Sequence, residues 1–106
     1  MKQIYAVLQR SPTASKKYRM LFQRKDQILD YTDFGQQGYS DFLQHQDEER
    51  RQRFLKRFQK LIHEKQNDPS SAMTLSHLIL WNKPTLESSF KDYLNKFGMK
   101  GSIDIS

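Results

Sequence analysis

The sequence predicts an α+β domain. A three-stranded antiparallel β-meander, at about residues 2–9, 17–24 and 27–33, is followed by three helices, at about 47–65, 69–81 and 85–97, that pack on the sheet. Three observations predict it. Apolar residues alternate with period two through the first third of the chain, the breaks between the alternating runs are short, and beyond residue 46 the apolar period becomes helical.

In IYAVLQ, Ile4, Ala6 and Leu8 oppose Tyr5 and Val7; in YRMLFQ, Tyr18, Met20 and Phe22 oppose Arg19, Leu21 and Gln23. In QILDYT, Ile28, Asp30 and Thr32 oppose Leu29 and Tyr31. Alternation of β-branched and aromatic residues reads as strands. The breaks SPTASK and RKD are too short for a crossover, so consecutive strands pair antiparallel. Gly35 and Gly38 predict a turn or irregular loop over 33–42. Asp47 is an N-cap candidate, with Glu48 and Glu49 placed to complement the helix dipole. Phe54, Leu55, Phe58, Leu61 and Ile62 then fill about 120° of one helix face. Asp68-Pro69 marks a second helix start, with Leu75, Leu78, Ile79 and Trp81 inward. Thr85 caps a third helix, whose stripe is Leu86, Phe90, Tyr93, Leu94 and Phe97 and whose stop is Gly98. The tail KGSIDIS has no strong preference.

The 106 residues make a single small domain, 1–106, large enough to bury roughly 65% of its unfolded surface. Seven Phe, five Tyr and one Trp compensate for a lean apolar fraction of 36%, so the core is expected to be aromatic-rich. The absence of Cys excludes disulfides, thiolate zinc sites and Cys nucleophiles, and is compatible with a reducing compartment. The apolar run at the N-terminus is too short for a signal peptide, and no run approaches the roughly 20 apolar residues of a membrane helix. A soluble, non-secreted chain is the expectation.

Catalytic patterns are missing. The three His, at 45, 63 and 77, are scattered, His63-Glu64 has no second His behind it, and no Ser or Thr sits in a nucleophile-elbow pattern. His77 is read as a polar residue in or near the core. GQQG is too short for a phosphate-cradling loop. Asp30, Asp33 and Asp41 are better read as turn and cap formers than as metal ligands. The chain is therefore expected to be non-enzymatic, with no metal and no small-molecule cofactor.

Charge is the informative feature. The net charge is +6, and residues 1–46 and 47–67 each carry half of it while the remainder balances. On a helical wheel Arg50, Arg53, Lys56, Arg57 and Lys60 span about 120° beside the apolar stripe. With Lys16, Lys17 and Arg19 from the strands, they form a candidate nucleic-acid or polyanion face. Tyr5, Tyr31, Tyr39 and Phe42 are candidates to stack on bases. Glu49 and Glu64 share that arc, and the alternative is a merely solvated helix face. Arg50 and Arg51 stand in the first turn, where the dipole disfavours cations, and Arg51 falls within the apolar arc. One of them is expected to pair with a carboxylate of the 33–42 loop, Asp41 foremost, and pin that loop to the helix.

The order Phe34-Gly35, Gly38, Asp41, Asp47, Arg50, Arg57, Asp68-Pro69, Leu75-Ser76, Leu80-Trp81, Tyr93 and Phe97 resembles a family of small proteins encoded by large DNA viruses of algae and amoebae. The resemblance covers roughly residues 17–97. Two positions depart from it: Phe58 stands where that family has His, and Asp33 where it has a basic residue or His. A site shared through those positions is altered in this chain. The resemblance implies a viral origin and a place in the virion or in the interior of the infected cell, cytoplasm or nucleus; it carries no activity. Two expectations follow: a structural or interaction protein of a large assembly such as a virion, in which it is a minor capsid component bound to other proteins, or a basic accessory protein that binds DNA or RNA.

Overall fold

A computed structural model describes residues 4–105. The three expected strands are present as β1 (Tyr5–Arg10), β2 (Lys16–Arg24) and β3 (Gln27–Gln36). Residues 2 and 3 of the expected first strand lie outside the described residues. β1–β2 and β2–β3 pair antiparallel, as the short connections require. The register puts Ala6 against Phe22 and Leu8 against Met20, and all four are buried. Beyond Phe22 the register shifts: Phe22 faces Asp30 and Gln23 faces Ile28, which leaves Leu29 as a bulge.

Seven further elements follow: α1 (Phe42–His45), α2 (Glu48–Arg57), α3 (Gln59–Lys65), α4 (Ala72–Leu75) running into a π-helical turn (Ser76–Leu80), α5 (Leu86–Phe97) and β4 (Lys100–Asp104). α4, the π-turn and α5 lay Leu75, Ile79, Leu80, Phe90 and Tyr93 on the inner residues of the sheet, and together they make the core. The wider π ring reduces the angle between successive residues, which suits a segment that buries Leu78, Ile79 and Leu80 in a row.

Several features differ from the sequence expectation: β3 runs through Gly35 to Gln36, which confines the expected 33–42 loop to residues 37–41, and α1 follows where none of the three expected helices lies. The sheet has a fourth strand: β4 pairs parallel with β1, giving a mixed sheet in the order β3-β2-β1-β4. Gly101 permits this, because a Cβ there would collide with the carbonyl of Ala6 and crowd Phe90. The expected helix 47–65 is divided at Phe58, whose φ of −104° and ψ of 14° leave the helical region. The two pieces are joined by Ile62 N–H donating to the Phe58 carbonyl.

The expected helix 69–81 starts at Ala72, and Asp68 caps a turn instead by accepting from Ser70 N–H and Ser70 Oγ. The carbonyls of Pro69 and Ser70 accept from Tyr93 Oη at 2.6 Å and Thr32 Oγ1 at 2.7 Å, which ties this non-helical turn to α5 and β3. Asp47, Thr85 and Gly98 cap as expected: Asp47 accepts from Glu49 and Arg50 N–H, Thr85 from Ser88 N–H, and Gly98 adopts a φ of 62°.

The buried face of the sheet is covered by α4, the π-turn and α5. The other face carries the rows Tyr31–Leu21–Val7 and Ile28–Gln23–Tyr5, and Ile28, Tyr31 and Tyr5 are exposed. No helix among the described residues is long and apolar enough to cross a membrane.

Candidate anion-binding cleft

A cleft of about 980 Å³ opens between α2, the adjoining ends of β2 and β3, and the 39–41 loop. Its floor is apolar, formed by Phe34, Phe54, Phe58, Leu80 and Trp81. Phe54 and Trp81 stack with ring centroids 4.4 Å apart and planes 4° from parallel. Gly35 also lines the cleft; its φ of +79° and the 2.9 Å separation between a notional Cβ and Leu80 Cδ1 leave no room for a side chain.

Cations rim this floor. Arg53, Lys56 and Arg57 border it from α2 and Lys16 from β2. None of the four forms an ion pair among the described residues, and Arg57 has only the Phe58 ring, 5.2 Å beneath its guanidinium. Next to them Lys60 and His63 join Lys56 and Arg57 around a second, shallower hollow of about 540 Å³. Unpaired positive charges beside an aromatic surface attract anions by Coulombic focusing and leave apolar ring surface next to the charge.

Of the other cations expected on this face, Arg50 also lines the cleft without a carboxylate partner among the described residues, while Lys17 and Arg19 are neutralised. Lys17 Nζ lies 2.6 Å from Asp41 Oδ2 and also donates to the Tyr39 carbonyl. Arg19 holds Asp33 through two hydrogen bonds, 2.7 and 3.0 Å, and its guanidinium stacks 3.9 Å from the centroid of Tyr31. The hydrogen bonds from Arg19 hold the Asp33 carboxyl below its usual range. Neither Lys17 nor Arg19 therefore offers a free charge, and the basic face reduces to Lys16 with the α2–α3 residues.

The expected pairing of Arg50 or Arg51 with Asp41 is replaced. Lys17, almost buried beside Asp41, occupies that carboxylate, and the two arginines find other acceptors. Arg50 Nη2 donates to Ser40 Oγ at 3.0 Å, so the loop is still tied to the helix, through a hydroxyl. Arg51 donates to the Trp81 carbonyl at 3.0 Å and to Glu48 at 2.9 Å, which resolves both its place in the apolar arc and its position in the first turn.

Of the aromatic residues expected to stack on bases, Tyr39 stands at the mouth of the cleft, 67% exposed. Phe42 is buried, and Tyr5 and Tyr31 lie on the open sheet face. Asp30, Asp33 and Asp41 do not assemble: among the described residues no group of three or more His, Asp or Glu could hold a metal ion. His77 is half-buried, and burial, with Arg51 and Lys96 nearby, pushes its pKa down. The floor pair Phe54 and Trp81 was not legible as a site. Both sit on apolar stripes in the sequence, and only their juxtaposition with the cationic rim distinguishes them from core.

Residues 6–58, half of the chain, match the model of a family of unknown function, DUF5754, and the chain belongs to that family. The matched segment runs from β1 to the end of α2 and so contains all four cations of the rim. No curated protein and no solved structure matches the chain.

Proposed function

We propose that this member of DUF5754 is a non-enzymatic accessory protein that binds nucleic acid in the cleft beside α2. The observation that carries the reading is the convergence of Lys16, Arg53, Lys56 and Arg57, all without carboxylate partners among the described residues, on one aromatic floor. Cations left unpaired around a concavity are the usual electrostatic footprint of a phosphate backbone. A solvated helix face alone leaves unexplained why Lys16 faces the same hollow from another element.

The test is binding of a fluorescently labelled oligonucleotide followed by anisotropy across a salt series. Four phosphate contacts give a slope of log K against log salt of about −3 to −4. Replacing Arg53, Lys56 and Arg57 together with Gln should flatten that slope by about 2 to 3 and weaken binding at low salt. Micromolar binding that is indifferent to the triple substitution counts against the cleft, and absence of binding at low salt counts against nucleic acid.

A second reading is favoured by the open sheet face. Val7, Leu21, Tyr5, Tyr31 and Ile28 lie on this face, the last three exposed, with Gln23 among them and the Arg19 guanidinium over Tyr31. Such a surface suits a protein component of a larger assembly. The resemblance to proteins of large DNA viruses supports a virion as that assembly and the infected cell as its setting. The two readings are compatible, because the cleft and the open face involve different residues.

A further inference from the structure

We infer that the cleft takes a single strand in preference to a duplex, with bases entering on the aromatic floor while the backbone follows Lys56, Arg57 and Lys60. The inference rests on the nucleic-acid reading above and adds the form of the partner.

The shape of the basic surface carries it. A helix that reads duplex DNA presents its side chains as a convex ridge to a groove about 12 Å wide. Here Arg53, Lys56 and Arg57, all exposed, border a hollow that Lys16 and Tyr39 also line. A single strand can lay backbone and bases into such a hollow together, whereas a duplex meets only the exposed cations of its border.

The floor makes the same distinction chemically. Phosphates have no use for Phe54, Phe58 and Trp81, but an unstacked base does, since it exchanges water for the partly exposed ring surface that this cluster and His45 leave uncovered. In a duplex the π-faces of the bases are already covered by their neighbours. The volume of about 980 Å³ is at the upper end of small-ligand pockets, room for one or two nucleotides. Tyr39, mostly exposed at the mouth, is placed to cover a base from the open side. The second hollow, which shares Lys56 and Arg57 with the first and adds Lys60 and His63, extends the positive track away from the floor. A strand longer than two nucleotides is therefore held at more points than a mononucleotide.

Trp81 is the only tryptophan of the chain and part of the floor, so its emission reports on occupancy directly. The experiment titrates the full chain with a single-stranded oligonucleotide of about twelve residues, the same strand annealed to its complement, and a mononucleotide, in low salt. The single strand should quench Trp81 and bind about tenfold or more tighter than either other ligand, the equivalent of one well-stacked base. Tyr39→Ala, at an exposed side chain, should weaken single-strand binding more than duplex binding and so reduce that preference. Equal affinity and equal quenching by the duplex would overturn the inference while leaving nucleic-acid binding intact. So would single-strand binding that leaves Trp81 emission unaltered. If none of the three ligands binds, the nucleic-acid reading falls and the inference with it.

Discussion

Phe54 lies flat against Trp81, and the carbonyl of Trp81 accepts a hydrogen bond from Arg51 Nε, one helical turn before Phe54. The segment that leaves the π-turn is thereby fastened to α2 at two points, one apolar and one polar. This fastening brings the cationic side of α2 beside a floor that its own Phe54 and Phe58 share with Phe34, Leu80 and Trp81 from other parts of the chain.

Phe54→Ala removes the stack without touching a charge. Because Phe54 is only half-buried, the cost should be about 1–3 kcal/mol, below the range for a fully buried Phe. Denaturant unfolding measures the loss, and the Trp81 emission of the folded variant should move to longer wavelength. An unchanged midpoint and spectrum would mean that the stack does not hold the two segments together.

The Lys17–Asp41 pair should show strong coupling. Its side chains are only 12% and 5% exposed, so Lys17→Met leaves a buried carboxylate without its cation, at a cost of about 3–5 kcal/mol. Adding Asp41→Leu should recover a large part of that loss. A double-mutant cycle by denaturant unfolding checks it, and additive costs would show that the pair is not coupled.

The Arg19–Asp33 pair predicts a pH effect of known sign. The folded-state pKa of Asp33 lies below its unfolded value of about 3.9. Its contribution to stability is therefore present above about pH 4 and is lost as pH falls through the lower, folded-state value. Asp33→Asn should lower stability at neutral pH and narrow its difference from wild type as the solution is acidified below about pH 4. A difference that is constant down to acid-induced unfolding would contradict the assignment. Glu48 and Asp68 are also held low and remain in both proteins, so the difference curve isolates Asp33.

Gly101→Ala tests the fourth strand. The new methyl meets the Ala6 carbonyl and the rings and side chains of α5, so β4 must separate from β1. Amide hydrogen exchange should speed up selectively at residues of β1 and β4 and leave the β2–β3 pairing protected. Uniform protection across all four strands would show that the parallel pairing tolerates the methyl.

The parts of the fold visible in the sequence are those decided locally. Alternation gives β1 to β3, and caps such as Asp47, Thr85 and Gly98 act on their own neighbours. β4 escapes because KGSIDIS contains two apolar residues and becomes a strand through pairing with β1, at the opposite end of the chain. The turn before α4 is likewise nonlocal, since Tyr93 and Thr32 donate to the carbonyls of Pro69 and Ser70 and tie it to α5 and β3. The cations of α2 can be read from their spacing. Which of the strand cations are neutralised depends on partners brought by folding, Asp41 for Lys17 and Asp33 for Arg19, and the concavity itself exists only once α2 and Lys16 are brought to the same border.

The most direct test of the cleft is a residue-resolved map of amide chemical shifts as a single-stranded oligonucleotide is added to the isotopically labelled chain. The perturbed amides should cluster at Lys16, Tyr39, Arg53, Arg57 and Trp81, with Val7, Leu21 and Tyr31 unaffected. Perturbation centred on Val7, Leu21 and Tyr31 would place the nucleic acid on the open sheet face and contradict the account.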